Sequence, residues 1–371
     1  MTPRYILVLC FSLIIFLIAI FDPFERPKPV LHNLQNNKLG VWLWYLERTS
    51  YKSHKSLGDK LSKLGVKRIF IKVSDGTNLE KWPELKKKSV IKEYLNRHIE
   101  PWAWSYNYPG NDSIQAHALY EAAKTGYKGF VVDLEKEFDG KPEAAKKLFM
   151  AFAKAKNKAF VEGYIKNDFK LYCTTWGNVK DHKTPIAAID PFVDGYMPQT
   201  YIELWGENFM ENIKYWVMVG NLEYLALGAT KPIYHIVSTE KANINSDQLN
   251  EFIQYAGPQT SIWRIPGYGV PESVWKDWEG VDWDIKYDQN MLSVNRGNEV
   301  IKKDKNQNSF TIDYDGKLYH IELIDSCGQI AKTIKPNENH IYTMADLSPG
   351  KYNVNIYHEK RMSAIPIEKK E

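Results

Sequence analysis

The chain has 371 residues, 44% of them hydrophobic and 25% charged, with a formal net charge of +4 at pH 7. That is chain enough for one large and one small domain, with an ordinary composition for a globular protein. The modest charge, with no Lys/Arg cluster interleaved with base-stacking aromatics, argues against nucleic acid as a partner.

Tyr5 to Phe21 is almost unbroken apolar sequence preceded by Arg4, the pattern of a secretory signal or an N-terminal membrane anchor within residues 1–26. No small-x-small cleavage site follows the run, whose next residues are Asp22, Pro23 and Phe24, which favours an uncleaved anchor over a cleaved signal. Either places the remainder outside the cytoplasm, membrane-anchored or secreted. Residues 27–37 read as a polar tether.

From Lys38 the pattern becomes strand, helix, strand, helix. Leu39 to Tyr45 is the first predicted strand, and Leu57, Leu61 and Leu64 give the inner face of the first helix. Val66 to Val73 is the second strand, ending at Ser74-Asp75-Gly76. Ile99 to Tyr106 is the third, followed by a helix through Ile114, Ala118 and Ala122. The fourth strand is Lys128-Gly-Phe-Val-Val-Asp-Leu-Glu135, after which Pro142 opens a helix carrying Leu148, Phe149 and Phe152. Leu171 to Trp176 and Val193 to Tyr201 follow as strands, then a helix over Ile213 to Val219. Pro232 to Val237 is the seventh strand. Ser246 is the expected cap of a helix through Leu249, Phe252 and Ile253, stopped by Gly257-Pro258. Ser261 to Ile265 is the eighth strand, with a short last helix at Val274 to Trp278.

Eight strand–helix units over residues 38–285 match the size and rhythm of a (β/α)8 TIM barrel, typically about 250 residues. An open doubly wound sheet would be expected to carry a Gly-rich phosphate loop after the first strand, and none is there. Residues 286–308 are polar and read as a linker. From 309 to 371 short alternating strands take over at Phe310 to Tyr314, Leu318 to Ile324, Ile341 to Met344 and Tyr352 to Tyr357, with Asp315-Gly316 and Pro349-Gly350 as turns. This is a small C-terminal β-sandwich.

In a barrel the strand C-termini share one rim, which carries the active site. The predicted ends bring Trp44, Tyr45, Asp75, Trp104, Tyr106, Asp133, Glu135, Trp176, Gln199, Tyr201 and Trp263 to it. Asp133 and Glu135 carry the chemistry. Side chains on a strand alternate, so these two acids share one face, about 6.5 Å apart at their Cα atoms. In a partly buried site two such carboxylates cannot both ionise cheaply, so one pKa rises. One protonated acid beside one charged acid is the equipment of glycosidic bond cleavage. Trp44, Trp104, Trp176 and Trp263 would stack on sugar faces; Asp75, Tyr106, Gln199 and Tyr201 would bind its polar groups. Each ring taken singly could equally be barrel filling, and the acids could cap a strand end or pair with a lysine.

Other chemistries lack their motifs. Three Cys at 10, 173 and 327 form neither a disulfide framework nor paired metal-ligand spacing. Nine His show no His-x-x-x-His or Glu-His pattern, and His235 reads as a satisfied barrel residue. No Gly-x-Ser-x-Gly is present for a serine nucleophile.

The fourth strand resembles the Asp-x-x-Asp-x-Asp-x-Glu signature of family-18 chitinases and endo-N-acetylglucosaminidases. Asp133 and Glu135 match its last two acids, while Lys128 and Val131 replace the first two. Tyr196-Met-Pro-Gln-Thr-Tyr201 is similar to that family's sixth-strand segment. Ile71-Lys-Val-Ser-Asp-Gly-Thr-Asn78 is similar to the second strand of family-25 lysozymes, whose fourth strand also ends Asp-x-Glu and whose last strand carries a Trp, here Trp263. The first-strand Asp of that family is missing, with Trp44 or Tyr45 in its place. These resemblances imply a (β/α)8 glycoside hydrolase in which Glu135 is the general acid. They also imply that Asp133 steers a 2-acetamido group that attacks the anomeric carbon.

In the C-terminal part, Ile321 to Ile330 and Leu347 to Val354 resemble the sorting modules of Bacteroidetes type IX secretion cargo. Pro366 interrupts the usual closing strand of such modules, and an accessory or glycan-binding role fits equally. The expectation is a monomeric retaining glycosidase, needing no cofactor or metal, acting on an N-acetylhexosamine-containing glycan such as chitin or peptidoglycan. A non-catalytic glycan-binding protein on a degenerate barrel is the alternative, motivated by Lys128 and Val131.

Overall fold

The computed structural model describes residues 38–284, 300–303, 309–313, 318–325, 330–337, 339–358 and 362–369. The expectations for the apolar run and tether before Lys38, for 285–299, and for Cys10 and Cys327 lie outside the described residues. Among the described residues no helix is long and apolar enough to cross a membrane.

Eight parallel strands close into a barrel in chain order: β1 Gly40–Leu43, β2 Arg68–Asp75, β3 Glu100–Tyr106, β4 Gly129–Asp133, β5 Lys170–Trp176, β6 Gly195–Gln199, β7 Ile236–Ser238 and β8 Ser261–Trp263. β8 pairs back onto β1 through Gly40 opposite Ser261. Around them run α1 His54–Leu64, α2 Lys88–Leu95, α3 Asp112–Thr125, α4 Pro142–Val161, the short α5 Ile186–Ile189, α6 Ile202–Trp205 and α7 Glu207–Met210, then α8 Ile213–Ala226, α9 Ser246–Ala256 and α10 Val274–Glu279.

The strands sort their residues by parity. One set, including Val41, Ile69, Ile71, Ala103, Phe130, Val132, Leu171 and Ile262, packs outward into the core shared with the helices. The other set fills the barrel: Trp42, Phe70, Trp102, Trp104, Val131, Tyr172, Met197, Tyr234 and Ile236. Rings dominate its floor. Trp42 stacks on Phe70 at 4.4 Å, Phe70 meets Trp102 at 5.8 Å, and Trp102 meets Tyr172 at 4.9 Å. Gly129 is there to admit Trp102, since a Cβ would fall 2.6 Å from the indole. A floor this full of aromatic volume leaves little room beneath the upper rim.

Local signals act where expected, with small displacements. Pro142 is at the first turn of α4. α9 is capped by Asn245, one residue before the expected Ser246: its side chain accepts from the Gln248 N–H, and Gln248 returns a bond to the Asn245 backbone. Ile114 is 49% exposed rather than inward; Ala118, Leu119 and Ala122 form the buried face of α3. β7 is three residues long, preceded only by a bridge from Ile233 to Tyr196.

The C-terminal strands form a three-stranded sheet, β13 Ile341–Thr343, β10 Ser309–Asp313, β9 Val300–Lys303, and a four-stranded sheet, β12 Ile330–Ile334, β11 Leu318–Asp325, β14 Gly350–His358, β15 Met362–Lys369. Phe310, Ile312 and Tyr342 of the first, with Met344 just after β13, share one core with Ile321, Leu323, Val354, Ile356 and Ile367 of the second, so the pair is a sandwich. Val300–Lys303 begins this sheet inside the expected linker. β15 continues through Pro366, opposite Asn353, instead of breaking there. It is an edge strand, where a missing N–H donor is tolerated.

Candidate functional site

The upper end of the barrel opens into a cavity of about 360 Å³. Of the sequence-predicted residues, Trp44, Trp104, Tyr106, Asp133, Glu135, Trp176, Gln199, Tyr201 and Trp263 all line it. A larger groove of about 440 Å³ lies on the outer helical layer between α3 and α4; it is lined by three lysines, His117, Tyr120, Met150 and small residues, with Asp112 as its one acid.

Asp133 is the last residue of β4, opposite Tyr106 on one side and Thr174 on the other. Glu135 lies two residues beyond, still in extended backbone, so the alternation that sends both acids inward persists past the strand end. Their link is Gln199 at the end of β6, whose Nε2 donates to Asp133 Oδ1 at 3.1 Å and to Glu135 Oε1 at 3.4 Å. Asp133 is 6% exposed. Burial pushes its carboxyl well above the ordinary range, and the Glu135 charge adds to that. Glu135 is also raised, by burial first, with the Gln199 bond opposing and Glu137 assisting. The pair therefore retains a proton where isolated carboxyls would have lost theirs.

Hydroxyl donors surround the acids. Tyr106 donates to Glu137 Oε2 at 2.8 Å, and burial raises its phenol with help from Glu135 and Glu137. Tyr201 is raised well above its usual value by burial and by Asp133, Glu135 and Glu240. Both stay neutral. Trp176 is fixed from behind: its indole N–H donates to Asp139 Oδ1 at 3.1 Å, and its ring stacks on His182 at 4.0 Å. Trp263 lies parallel to Tyr201 at 6.4 Å.

Two expected contacts are corrected. Asp75 does not line the cavity; its carboxylate is taken by Lys72 Nζ at 2.7 Å and the Tyr108 hydroxyl at 3.1 Å. Trp104 lines the cavity but is only 2% exposed, and its N–H is spent on the Leu43 carbonyl, so it forms floor rather than an open stacking face.

Lys72 and Glu240 also belong to the site. Lys72 is on the inward face of β2, its ammonium within 4.9–5.8 Å of the rings of Trp82, Trp104, Trp44 and Tyr106. Burial lowers its pKa, and the bond to Asp75 pulls it back toward the charged form. Its parity with Phe70 was a usable signal. Glu240, on the loop after β7, has none; it is held by Arg264 Nε at 2.7 Å.

His235 is fully buried, with Nδ1 2.8 Å from the Thr200 hydroxyl and Nε2 3.0 Å from Asn221 Oδ1. Donating to the Asn221 carbonyl and accepting from Thr200 uses both nitrogens of a neutral ring, and burial lowers its pKa to about 3. Cys173 is a free, buried thiol pointing to the helical side. Among the described residues no group of three His, Cys, Asp or Glu is arranged to hold a metal ion.

No protein-family model matches the sequence, and no curated protein matches it either. Solved structures similar to this chain include the endo-β-1,4-mannanase of Thermotoga petrophila, at 10% identity and a TM-score of 0.48, covering 90% of this chain and 97% of that one. The spore cortex-lytic enzyme SleL of Bacillus cereus is similar at 11% identity and a TM-score of 0.46, covering 68% and 75%. Human YKL-39, a pseudo-chitinase with retained chitooligosaccharide binding, is similar at 11% identity and a TM-score of 0.39, covering 55% and 67%. The (β/α)8 architecture stands on the strand pairing of this chain itself.

Proposed function

We propose that this chain is a retaining glycoside hydrolase acting on an N-acetylhexosamine-containing glycan. The observation that carries the reading is the acid pair tied by one amide: Gln199 reaches both Asp133 and Glu135 inside a cavity walled by Trp and Tyr rings. Carboxylates sharing one donor are closer than the roughly 6.5–9.5 Å of inverting pairs, which leave room for a water between them. Glu135, the more accessible acid, protonates the glycosidic oxygen. The carbonyl oxygen of the 2-acetamido group attacks the anomeric carbon as the leaving sugar departs, and Asp133 accepts from the acetamide N–H. Gln199 and Tyr201 hydrogen-bond the same group. Water then opens the cyclic intermediate with Glu135 taking its proton, and the configuration is retained.

The test is turnover of aryl N-acetylhexosaminides and of chitin and peptidoglycan fragments. Glu135→Gln is expected to lower kcat by about 10²–10⁴-fold, and an unchanged kcat removes Glu135 from the role.

One observation favours a second reading, a glycan-binding protein without turnover. Val131, on the same inward face as Asp133, is buried among the barrel rings, so no acid lies beneath Asp133 to exchange its proton. Oligosaccharide binding without hydrolysis, unchanged by Glu135→Gln, is the result that reading requires.

A further inference from the structure

Beside the cavity, the segment after β1 and the segment after β8 enclose a shallow recess lined by Trp44, Tyr45, Arg48, Arg264 and Tyr268. Trp44 belongs to both the recess and the cavity, so the two share a wall. The recess itself, about 10 Å³, has room for about one water; resting on the glycan reading of the cavity, we propose that its rim, at the exposed Arg48, is a subsite for an anionic group, a carboxylate or sulfate, on a sugar adjacent to the one being cleaved.

Arg48 is the recognising group. Its guanidinium carbon lies 4.4 Å from the Tyr45 ring centre and 4.6 Å from that of Tyr268. A guanidinium resting against two rings and paired with no carboxylate keeps N–H donors for a planar or tetrahedral anion such as a carboxylate or sulfate. Among the described residues no carboxylate forms an ion pair with Arg48, which is itself exposed. Arg264 is the opposite case: 6% exposed and spent on Glu240 and on the Tyr268 carbonyl, each at 2.7 Å.

The recess is built, not incidental. The Tyr268 N–H donates to the Arg48 carbonyl at 2.9 Å, and Gly267 approaches so closely that a Cβ there would lie 2.4 Å from the Arg48 oxygen. Arg264 anchors the same loop from below. Charge distribution then sorts a substrate. The cavity holds Asp133, Glu135 and Glu240, and its one lysine is already bound to Asp75, so an anion is repelled there. At the recess the cation is open, next to a Tyr268 ring that is 63% exposed and can carry a sugar face. Neutral sugar in the cavity and anionic sugar at the rim is the arrangement this charge pattern selects.

The experiment is calorimetric titration of the full chain carrying Glu135→Gln, so that cleavage does not interfere. The probes are a neutral N-acetylglucosamine tetrasaccharide and the same tetrasaccharide bearing one carboxylate ether or one sulfate. The anionic probes are expected to bind at least about tenfold more tightly than the neutral one at low salt, and the ratio is expected to shrink in 0.5 M salt. Adding Arg48→Ala is expected to bring the ratio to within about twofold of unity, and Arg48→Lys to restore part of it. Comparing the carboxylate with the sulfate identifies the anion. Equal affinity for neutral and charged probes, or a preference that survives Arg48→Ala in a protein with unchanged circular dichroism, overturns the proposal. Failure of hydrolysis with a preserved Arg48-dependent preference would sink the hydrolase reading alone; hydrolysis without the preference would sink the subsite alone.

Discussion

At the scale of single residues, the decisive interaction is between one amide and two acids. Gln199 has two N–H donors, and both are used on groups that would otherwise repel. The cost of this arrangement falls on Asp133, and it has a definite sign. Its carboxyl is raised by burial and then by the Glu135 charge. A group whose folded pKa exceeds its unfolded value, about 3.9 for Asp, holds its proton more tightly in the folded state. Its favourable contribution is complete below the unfolded pKa and is lost as pH rises through the folded one. Asp133→Asn keeps the acceptor for Gln199 but cannot ionise. It is therefore expected to raise Tm by at least about 2 °C near pH 7.5 and to leave it unchanged near pH 4. Thermal unfolding followed across that pH range checks the claim; a gain that is larger in acid contradicts the burial of a charge. Legibility was high here because a strand places alternate residues on one face whatever surrounds it. That same-face relation held even though regular strand structure ends at Asp133. The Asp75 role was misread because the sequence could not reveal that Lys72 and Tyr108 would claim its carboxylate.

At the scale of elements, α6 matters more than its four residues suggest. Glu203, directly after the Gln199-Thr-Tyr-Ile run, is 4% exposed and accepts from the Ser238 hydroxyl at 2.8 Å and the Lys241 N–H at 3.0 Å, with Asn243 N at 3.4 Å. It is the anchor of the loop that carries Glu240. Glu203→Ala strands the buried Ser238 hydroxyl and two part-buried backbone donors, and each buried unsatisfied group costs about 1–3 kcal/mol. A loss of about 2–4 kcal/mol in denaturant unfolding is expected, smaller for Glu203→Gln, which keeps one acceptor. An effect below about 1 kcal/mol would remove Glu203 from the anchoring role. No sequence rule marks such a residue: an acid in the first turn of a short helix reads as solvated surface until the partner loop folds onto it. The wall residue Trp176 makes the same point, since its strand-end position was readable but its clamp by Asp139 and His182 was not.

At the scale of the whole molecule, the barrel and the sandwich meet at α8, which packs against β15. α8 reads Ile-Lys-Tyr-Trp-Val-Met-Val-Gly-Asn-Leu-Glu-Tyr-Leu-Ala, apolar around nearly its whole circumference, and Leu222 with Met218 and Leu225 forms an apolar cluster apart from the barrel core. A helix that is hydrophobic all round needs cover on both sides. A chain ending at Asp284 is therefore expected to melt at lower temperature, to bind an apolar dye and to self-associate at micromolar concentration. Differential scanning fluorimetry and size-exclusion chromatography check this; unchanged melting and a monomeric profile would mean that α8 is self-sufficient. By itself the sequence determined the (β/α)8 order, the strand bearing the acids, the aromatic rim and the change to short strands from residue 309 on. All of these follow from periodicity along the chain, which is local. Only the tertiary structure decided that Gln199 spans both acids, that Glu240 enters the cavity, and that Arg48 stands open beside it. Those are meetings of residues 24 to more than 200 positions apart, and periodicity along the chain cannot say which groups the closed barrel brings within reach of one another.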